Sequence, residues 1–173
     1  TRRSHDAGQA FIAGEENSLL RILVNAVFAD QPIYNPITLC GPTGSGKSHL
    51  LHGLVNRLRM LSPEGKIVIT AAADFARQYA RAVELDALSE LQQKLIAADM
   101  LVIDGLHELA TKSATQQELL HMVDRCLERE SQLLFSCRSS SPEWTWMLPG
   151  LRSRLEAGLT IPLSLPGPEA REA

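Results

Sequence analysis

The eight residues Gly41-Pro42-Thr43-Gly44-Ser45-Gly46-Lys47-Ser48 constrain the fold more than any other part of the chain. They match Gly-x-x-x-x-Gly-Lys-Ser, the pattern of a loop that binds nucleotide phosphates between a strand and a helix. Glycines let backbone N–H groups close on phosphate oxygens, Lys47 adds a positive charge, and the Ser48 hydroxyl is a ligand for Mg²⁺. The predicted phosphate ligands are Gly41, Thr43, Gly44, Ser45, Gly46, Lys47 and Ser48.

The residues on either side of the loop favour a nucleotide site. Ile37-Thr38-Leu39-Cys40 predicts a short strand that leads into the loop, and residues 49–58 predict an amphipathic helix that leads out of it. This strand, loop and helix order is the context that the motif requires. The alternative is a glycine-rich turn that binds nothing.

Further apolar segments alternate with helical ones along the chain. Residues 66–70, 100–104, 132–137 and 159–163 predict strands, and helices are predicted between them. Such alternation predicts an α/β fold with a mainly parallel sheet of about five strands and helices on both faces. Ligands of such folds bind at the carboxyl ends of the strands.

Three further helices have predicted boundaries. Asp74 is expected to cap a helix that continues to about residue 83, and a second helix follows over residues 88–96. Thr115 is expected to cap a long helix over residues 116–127. The first two helices form a pair between two of the predicted strands.

Composition limits the classes of function. The chain has 173 residues, 45% of them hydrophobic, which suits one domain with one core. A net charge of −3 gives no broad basic surface, so any contact with nucleic acid must be local or shared among copies. Three cysteines without disulfide or metal spacing, and no apolar run long enough for a membrane span, predict a soluble, cytoplasmic protein with reduced thiols.

Asp104 ends the apolar segment Met100-Leu101-Val102-Ile103-Asp104, which is typical of a strand buried on both faces. A carboxylate at the end of such a strand is the expected second ligand for Mg²⁺ beside a phosphate loop. The alternative is an aspartate that begins a turn. Gly105 follows where many ATPases of this kind have a second carboxylate that activates water, so we expect weak or lost hydrolysis.

Two arginines, Arg152 and Arg154, precede the last predicted strand. One of them is a candidate arginine finger that reaches a nucleotide in a neighbouring subunit. The alternative is a solvated helix face.

Two histidines and two tryptophans are weaker candidates. His49 and His52 lie one helical turn apart, but two ligands without acidic or cysteine partners make a poor metal site, which favours ordinary core or surface histidines. Trp144 and Trp146 have the right chemistry to stack on bases, although anchoring of their loop against the core is the favoured role.

Taken together, the motifs resemble the AAA+ domain of the DnaA family, the bacterial chromosomal replication initiators and their close paralogues. The resemblance implies an AAA+ P-loop NTPase domain over residues 11–165, a flexible segment over residues 1–10, and the start of a truncated lid or linker over residues 166–173, with the lid subdomain absent. It rests on the phosphate loop together with Phe11-Ile12-Ala13-Gly14, Tyr34-Asn35-Pro36, Leu101-Val102-Ile103-Asp104, Thr115-Gln116-Gln117-Glu118 and Leu151-Arg152-Ser153-Arg154.

The resemblance also implies roles for particular residues. ATP or ADP and Mg²⁺ are the implied cofactors, with Ser48 and Asp104 on the metal, and Asp104 and Arg154 as the catalytic pair. Ile12 and Gly14 resemble residues that line an adenine pocket. The helix pair over residues 74–96, together with Lys112, resembles a surface for single-stranded DNA. Implied partners are further copies of the chain, joined through the ATP interface, and other replication proteins.

Four residues depart from the family pattern. Gly105 replaces a second aspartate, and Arg138 stands where a sensor aspartate follows the fourth strand. Gly150 replaces an arginine that precedes the candidate finger Arg154. Ala114 replaces an arginine in the Lys-x-Arg-x-Gln segment, residues 112–116, that the family uses for DNA. The resulting expectation is an initiator core in which ATP switches self-assembly on origin DNA. The alternatives are a regulatory paralogue that contacts the initiator, a helicase-loader or transposition-type AAA+ ATPase, and a small-molecule kinase.

Overall fold

The computed structural model describes residues 34–165 and contains a five-stranded sheet flanked by helices. Its strands are β1 (Ile37–Cys40), β2 (Ile67–Ala71), β3 (Met100–Asp104), β4 (Gln132–Cys137) and β5 (Leu159–Pro162). Its α-helices are α1 (Lys47–Leu61), α2 (Ala72–Glu84), α3 (Leu88–Ile96), α4 (Ser113–Glu128) and α5 (Pro149–Glu156). Two 3₁₀ segments lie at Leu106–Leu109 and Ser141–Trp146.

All strand pairs in the sheet are parallel, and the strand order is β2-β3-β4-β1-β5. β1 lies between β4 and β5, with Ile37 opposite both Leu134 and Leu159. Because parallel strands share one direction, the loops after β1, β3 and β4 meet at the same edge of the sheet. The predicted α/β fold is confirmed.

Apolar side chains cover the sheet on both faces. On one face, α1 packs its buried residues, such as Leu51 and Val55, against β1, β3, β4 and β5. On the other face, α2, α3, α4 and α5 form a second cluster that includes Phe75, Leu119 and Trp144. β1 and β4 are buried along their whole length, which explains their nearly continuous apolar sequences.

Both predicted helix caps are wrong. β2 runs directly into α2, so the helix begins at Ala72 after an extended Ala71, and Asp74 lies in its first turn, paired with Arg77. α4 begins at Ser113, which places Thr115 inside the helix, where it is buried. In both cases the path of the preceding segment fixes the start of the helix, and no side chain caps it.

The three cysteines are free and buried. Cys40 and Cys137 lie opposite each other at the ends of β1 and β4. Burial, and to a smaller extent the neighbouring Cys137, raise the pKa of the Cys40 thiol to about 12. Cys40 is therefore a packing residue with little thiolate at neutral pH.

Several predictions fall on parts of the chain outside the described residues. Ile12 and Gly14, which resemble residues of an adenine pocket, are among them, as are the segments over residues 1–10 and 166–173. From residue 34 to residue 165, no helix combines the length and apolar character that crossing a bilayer requires.

Candidate nucleotide-binding site

The loop between β1 and α1 depends on three glycines for different reasons. Gly44 and Gly46 have φ angles of 86° and 84°. These angles lie in the left-handed region, which residues other than glycine adopt only at a cost in free energy. A Cβ atom on Gly41 would lie 2.3 Å from the carbonyl oxygen of Leu163, so only glycine allows the chain after β5 to approach this closely. The loop has the backbone shape that phosphate binding requires.

Lys47 is the first residue of α1 and is 9% exposed. Its Nζ donates hydrogen bonds to the carbonyl oxygens of Gly41 and Pro42, both at 2.7 Å, and to Ser45 Oγ at 3.2 Å. Burial lowers the pKa of Lys47, and the charge of Asp104 opposes this shift. The ammonium group therefore lies inside the curve of the loop, at the positive end of α1. Ser48 follows it in the first turn and is exposed.

Asp104 is held at the end of β3 by a residue that we did not predict. The Ser136 hydroxyl, completely buried on β4, donates a hydrogen bond to Asp104 Oδ1 and accepts one of 2.8 Å from the Gly105 N–H. The only sequence signal for Ser136 is that it is a polar residue late in an apolar strand. One hydroxyl thus fixes both the carboxylate and the turn that follows it.

Two clefts open at this edge of the sheet. Asp104 lines the first, together with residues of α1, β2 and α2 that include His52 and Arg77. The second lies against the loop and is lined by Pro42, Thr43, His107, Ala110, Arg138, Ser139, Glu143 and Trp146. Asp104 and the loop are therefore both accessible from outside the protein.

Arg138 and His107 line the second cleft, together with the acidic Glu143. Arg138 follows β4 and is exposed, and among residues 34–165 it forms no ion pair with a carboxylate. Burial and then the charge of Arg138 lower the pKa of His107. His107 Nδ1 is buried and has no hydrogen-bond partner among the same residues. Arg138 therefore adds a second positive charge close to Lys47.

The structure does not bring the candidate finger to this loop. Arg154 is exposed on α5, where its Nε donates a 2.6 Å hydrogen bond to Asp124 on α4, which raises the pKa of Arg154. Arg152 pairs with Glu156 at 2.7 Å on its own helix. Neither arginine lines the two clefts. Arg152 fits the alternative of a helix face.

The two histidines of α1 lie on the surface of the helix. His49 and His52 are exposed on α1, and the part of the chain that the structure describes contains no group of three or more His, Cys, Asp or Glu residues able to hold a metal ion. Asp104 and Ser48 would therefore need oxygen ligands from a bound phosphate or from water to complete a magnesium site.

Trp144 anchors its loop, as the favoured alternative predicted. It is completely buried and its Nε1 donates a 2.8 Å hydrogen bond to the Ser139 carbonyl. Gln116 lies two residues after Ala114, at the end of the segment over residues 112–116 that resembles a DNA contact, and its side chain also faces inward. Its side chain binds the Leu109 carbonyl at 2.8 Å and the Leu148 N–H at 2.7 Å. Gln116 therefore joins two loops and is not available to DNA.

The predicted helix pair exists as α2 and α3. Gln92 on α3 donates a 2.9 Å hydrogen bond to Glu118 on α4, which ties the pair to the rest of the domain. Lys112 is exposed just before α4, and its Nζ binds the Glu108 carbonyl at 2.8 Å.

A parallel sheet with this strand order, a phosphate loop after its central β1 and a carboxylate after β3 define an AAA+ P-loop nucleotide-binding domain. Residues 4–162 match the family described as the bacterial DnaA ATPase domain, and the chain belongs to that family. The chromosomal replication initiator protein DnaA of Borreliella burgdorferi is 34% identical to it over 140 residues, which are 81% of this chain.

Solved structures agree with this assignment. Domain III of DnaA from Thermotoga maritima superposes with a TM-score of 0.88 at 25% identity, covering 94% of this chain and 68% of that one. A replication initiator DnaA bound to AMPPCP and single-stranded DNA superposes with a TM-score of 0.84 at 27% identity, covering 90% of this chain and 49% of that one. This chain spans 29% of the length of the Borreliella relative.

Proposed function

We propose that this domain binds ATP with Mg²⁺ and that ATP switches its self-assembly on origin DNA, as part of a cytoplasmic replication initiator. The observation that carries the proposal is the loop itself, with Gly44 and Gly46 in left-handed conformations and the Lys47 ammonium inside its curve. The relative bound to AMPPCP and single-stranded DNA supports both ligands.

Magnesium fits the oxygen donors that are present. The Ser48 hydroxyl and the Asp104 carboxylate would hold it, because both are exposed or half-buried at the carboxyl edge of the sheet and Ser136 already orients Asp104. Bound there, the ion would neutralise charge on the phosphates. Lys47 would exchange its hydrogen bonds with loop carbonyls for contacts with phosphate oxygens.

Slow hydrolysis is part of the same proposal. Gly105 provides no carboxylate directly after Asp104, and Arg154 faces Asp124 in its own chain. A general base and an arginine finger each contribute several orders of magnitude to phosphate transfer, roughly 10²–10⁴ and 10³–10⁵ in rate. Arg154 is proposed to act only when it reaches the nucleotide of a neighbouring copy.

Replacing Lys47 by alanine tests the site. We expect Lys47→Ala to abolish binding of a fluorescent ATP analogue, while Lys66→Ala, which removes an exposed lysine before β2, leaves the affinity unchanged. Circular dichroism and thermal unfolding establish that both variants are folded. Equal affinities of Lys47→Ala and the unchanged chain would mean that the nucleotide binds elsewhere.

Assembly needs a separate measurement. We expect light scattering in the presence of single-stranded DNA to increase with ATP and to stay low with ADP. The exposed surface of α2 and α3 with Lys112 is the proposed DNA contact. Assembly that ignores the nucleotide would contradict the switch.

A regulatory paralogue is the second candidate, because Gly105 and Arg138 change the two positions beside the phosphate loop while the loop is retained. Affinity purification separates the two candidates. Retention of a full-length initiator, without retention of origin DNA, would favour the regulatory role.

A further inference from the structure

Gly105 leaves space that another residue of the chain fills. It directly follows Asp104 with a φ angle of 83°. A Cβ atom built on Gly105 would lie 3.6 Å from His107 Cε1 and 3.9 Å from both Cγ and Oε1 of Glu108. The Glu108 carboxylate therefore lies near the position that a side chain at residue 105 would occupy.

The backbone holds Glu108 at this point. Leu106 and Leu109, on either side of it in the 3₁₀ segment, are each 1% exposed and belong to the core. The Glu108 N–H donates a 2.9 Å hydrogen bond to the Gly105 carbonyl, and the Glu108 carbonyl accepts one from Lys112 Nζ. The segment is thus tied to the end of β3 through the Glu108 N–H and to the residue before α4 through the Glu108 carbonyl.

The side chain of Glu108, in contrast, is open to solvent. Glu108 is exposed, and within residues 34–165 its carboxylate forms no ion pair. Lys112 binds the backbone oxygen of Glu108 and leaves the carboxylate unpaired. A carboxylate with this freedom can accept a proton and release it to solvent.

Charged residues around the nucleotide site act close to Glu108. Lys47, Asp104, Arg138 and Glu108 all act on the imidazole of His107, the residue next to Glu108. Glu108 and the charged residues of the nucleotide site therefore act on the same imidazole. Lys47 and Asp104 mark where the terminal phosphate and its metal ion belong in the proposed function.

We propose that Glu108 is the general base for the slow ATP hydrolysis of this domain, in place of the carboxylate that Gly105 cannot supply. This rests on the proposed ATP site. The oxygen of a water molecule bonds to the γ-phosphorus as the bond from that phosphorus to the β–γ bridging oxygen breaks, and the electron pair of that bond leaves with ADP. The proton of the water passes to the Glu108 carboxylate and then to solvent. The products are ADP, phosphate and a proton.

Glu108→Gln tests the proposal because it keeps the shape of the side chain and removes the base. We expect ATP turnover, followed with radiolabelled ATP, to fall at least about tenfold, within the range that general bases supply. The dissociation constant for ATP should stay within about twofold, and nucleotide recovered from the variant should remain ATP. The control Glu64→Gln changes an exposed glutamate in the turn before β2 and should alter none of these values.

Restoring a carboxylate at residue 105 separates a base from a structural role. Asp tolerates left-handed backbone angles better than most residues, so Gly105→Asp in the Glu108→Gln background should recover part of the turnover. Unchanged turnover in Glu108→Gln, or no turnover in an unmodified chain that binds ATP, overturns the proposal. Failure of the unmodified chain to bind ATP overturns the proposed function itself, which the affinity measurement detects independently.

Discussion

The phosphate loop after β1 and the ends of β3 and β4 lie at the same edge of the sheet but are built differently. The loop is made of backbone groups, because glycine conformations and the carbonyls around Lys47 determine its shape. The neighbouring strand ends depend on side chains, namely Asp104, Ser136, Arg138 and Glu108. The departures from the family pattern at Gly105 and Arg138 fall in the second region.

This difference shows how a domain can keep a ligand while its chemistry changes. A backbone site is insensitive to substitutions in neighbouring strands, since it needs only the right φ angles and close packing. A side-chain site can lose or relocate a single functional group without affecting the loop. Binding and hydrolysis are therefore separable properties of this edge. Four substitutions probe the loop, the strand ends, the Arg154 pair on the neighbouring helices and the buried imidazole after β3.

Gly41→Ala should have the largest effect. Its Cβ would meet the Leu163 carbonyl oxygen at 2.3 Å, and the backbone on both sides is fixed by the sheet. We expect the free energy of unfolding to fall by at least about 1–3 kcal/mol and ATP binding to be lost, measured by thermal unfolding and nucleotide titration. Gly53→Ala is the matched control, because open space surrounds Gly53 in α1. Normal affinity in Gly41→Ala would show that the loop tolerates displacement from β5.

Ser136→Ala should weaken the side-chain region with a smaller effect. It removes the donor to Asp104 and leaves the Gly105 N–H without its acceptor, at a cost of about 1–3 kcal/mol. We expect the melting temperature to fall by about 2–10 °C and ATP affinity to become less dependent on Mg²⁺. Thr38→Val is the control, because it removes a buried hydroxyl on β1 that has no partner in residues 34–165. Equal stability of both variants would contradict the role of Ser136.

Asp124→Asn tests whether the pairing on α4 restrains Arg154. The pair is exposed, so its loss should change the free energy of unfolding by less than about 1 kcal/mol. Release of Arg154 should strengthen ATP-dependent assembly measured by sedimentation, and Arg154→Ala should weaken it. Glu128→Gln, which breaks the Arg125 pair on the same helix, controls for surface charge. Identical assembly of all variants would exclude Arg154 from the contact between copies.

His107→Gln should have the smallest effect, visible only in acid. Because burial and Arg138 lower the pKa of His107 in the fold, the unfolded chain binds its proton first as pH falls below about 6.5. The imidazole therefore costs stability below that pH, and the opposing charges of Glu108 and Asp104 reduce the cost. Between pH 7.5 and 5.5, the variant should lose about 1–3 °C less in melting temperature than the unmodified chain. An exposed-histidine control, His121→Gln, should not differ.

The fold and the loop could be predicted because their signals are local. Apolar runs define β1, β3 and β4, and the order of glycines with Lys47 and Ser48 defines the loop without reference to distant residues. The apolar run of β3 likewise predicted that Asp104 lies at the edge of the sheet. Each of these signals lies within one strand or one turn.

The rest depended on partners far apart in the sequence. Ser136 contacts Asp104 from 32 residues away, and Gln116 joins loops that no pattern connects. Asp74 and Thr115 have cap chemistry, but the residues at the cap positions are Ala71 and Lys112, three residues earlier in each case. The proximity of Glu108 to the space beside Gly105 also depends on the shape of a 3₁₀ turn, which single-residue preferences do not specify.

The burial of all three thiols has a practical consequence. Burial raises the pKa of the Cys40 thiol to about 12, so it carries little thiolate at neutral pH, and Cys126 and Cys137 are also enclosed in the core. A maleimide probe would therefore react with a cysteine introduced at an exposed site, such as Met60 on α1, long before it reached the native ones. The native sequence is ready for fluorescence measurements of assembly without removal of any cysteine.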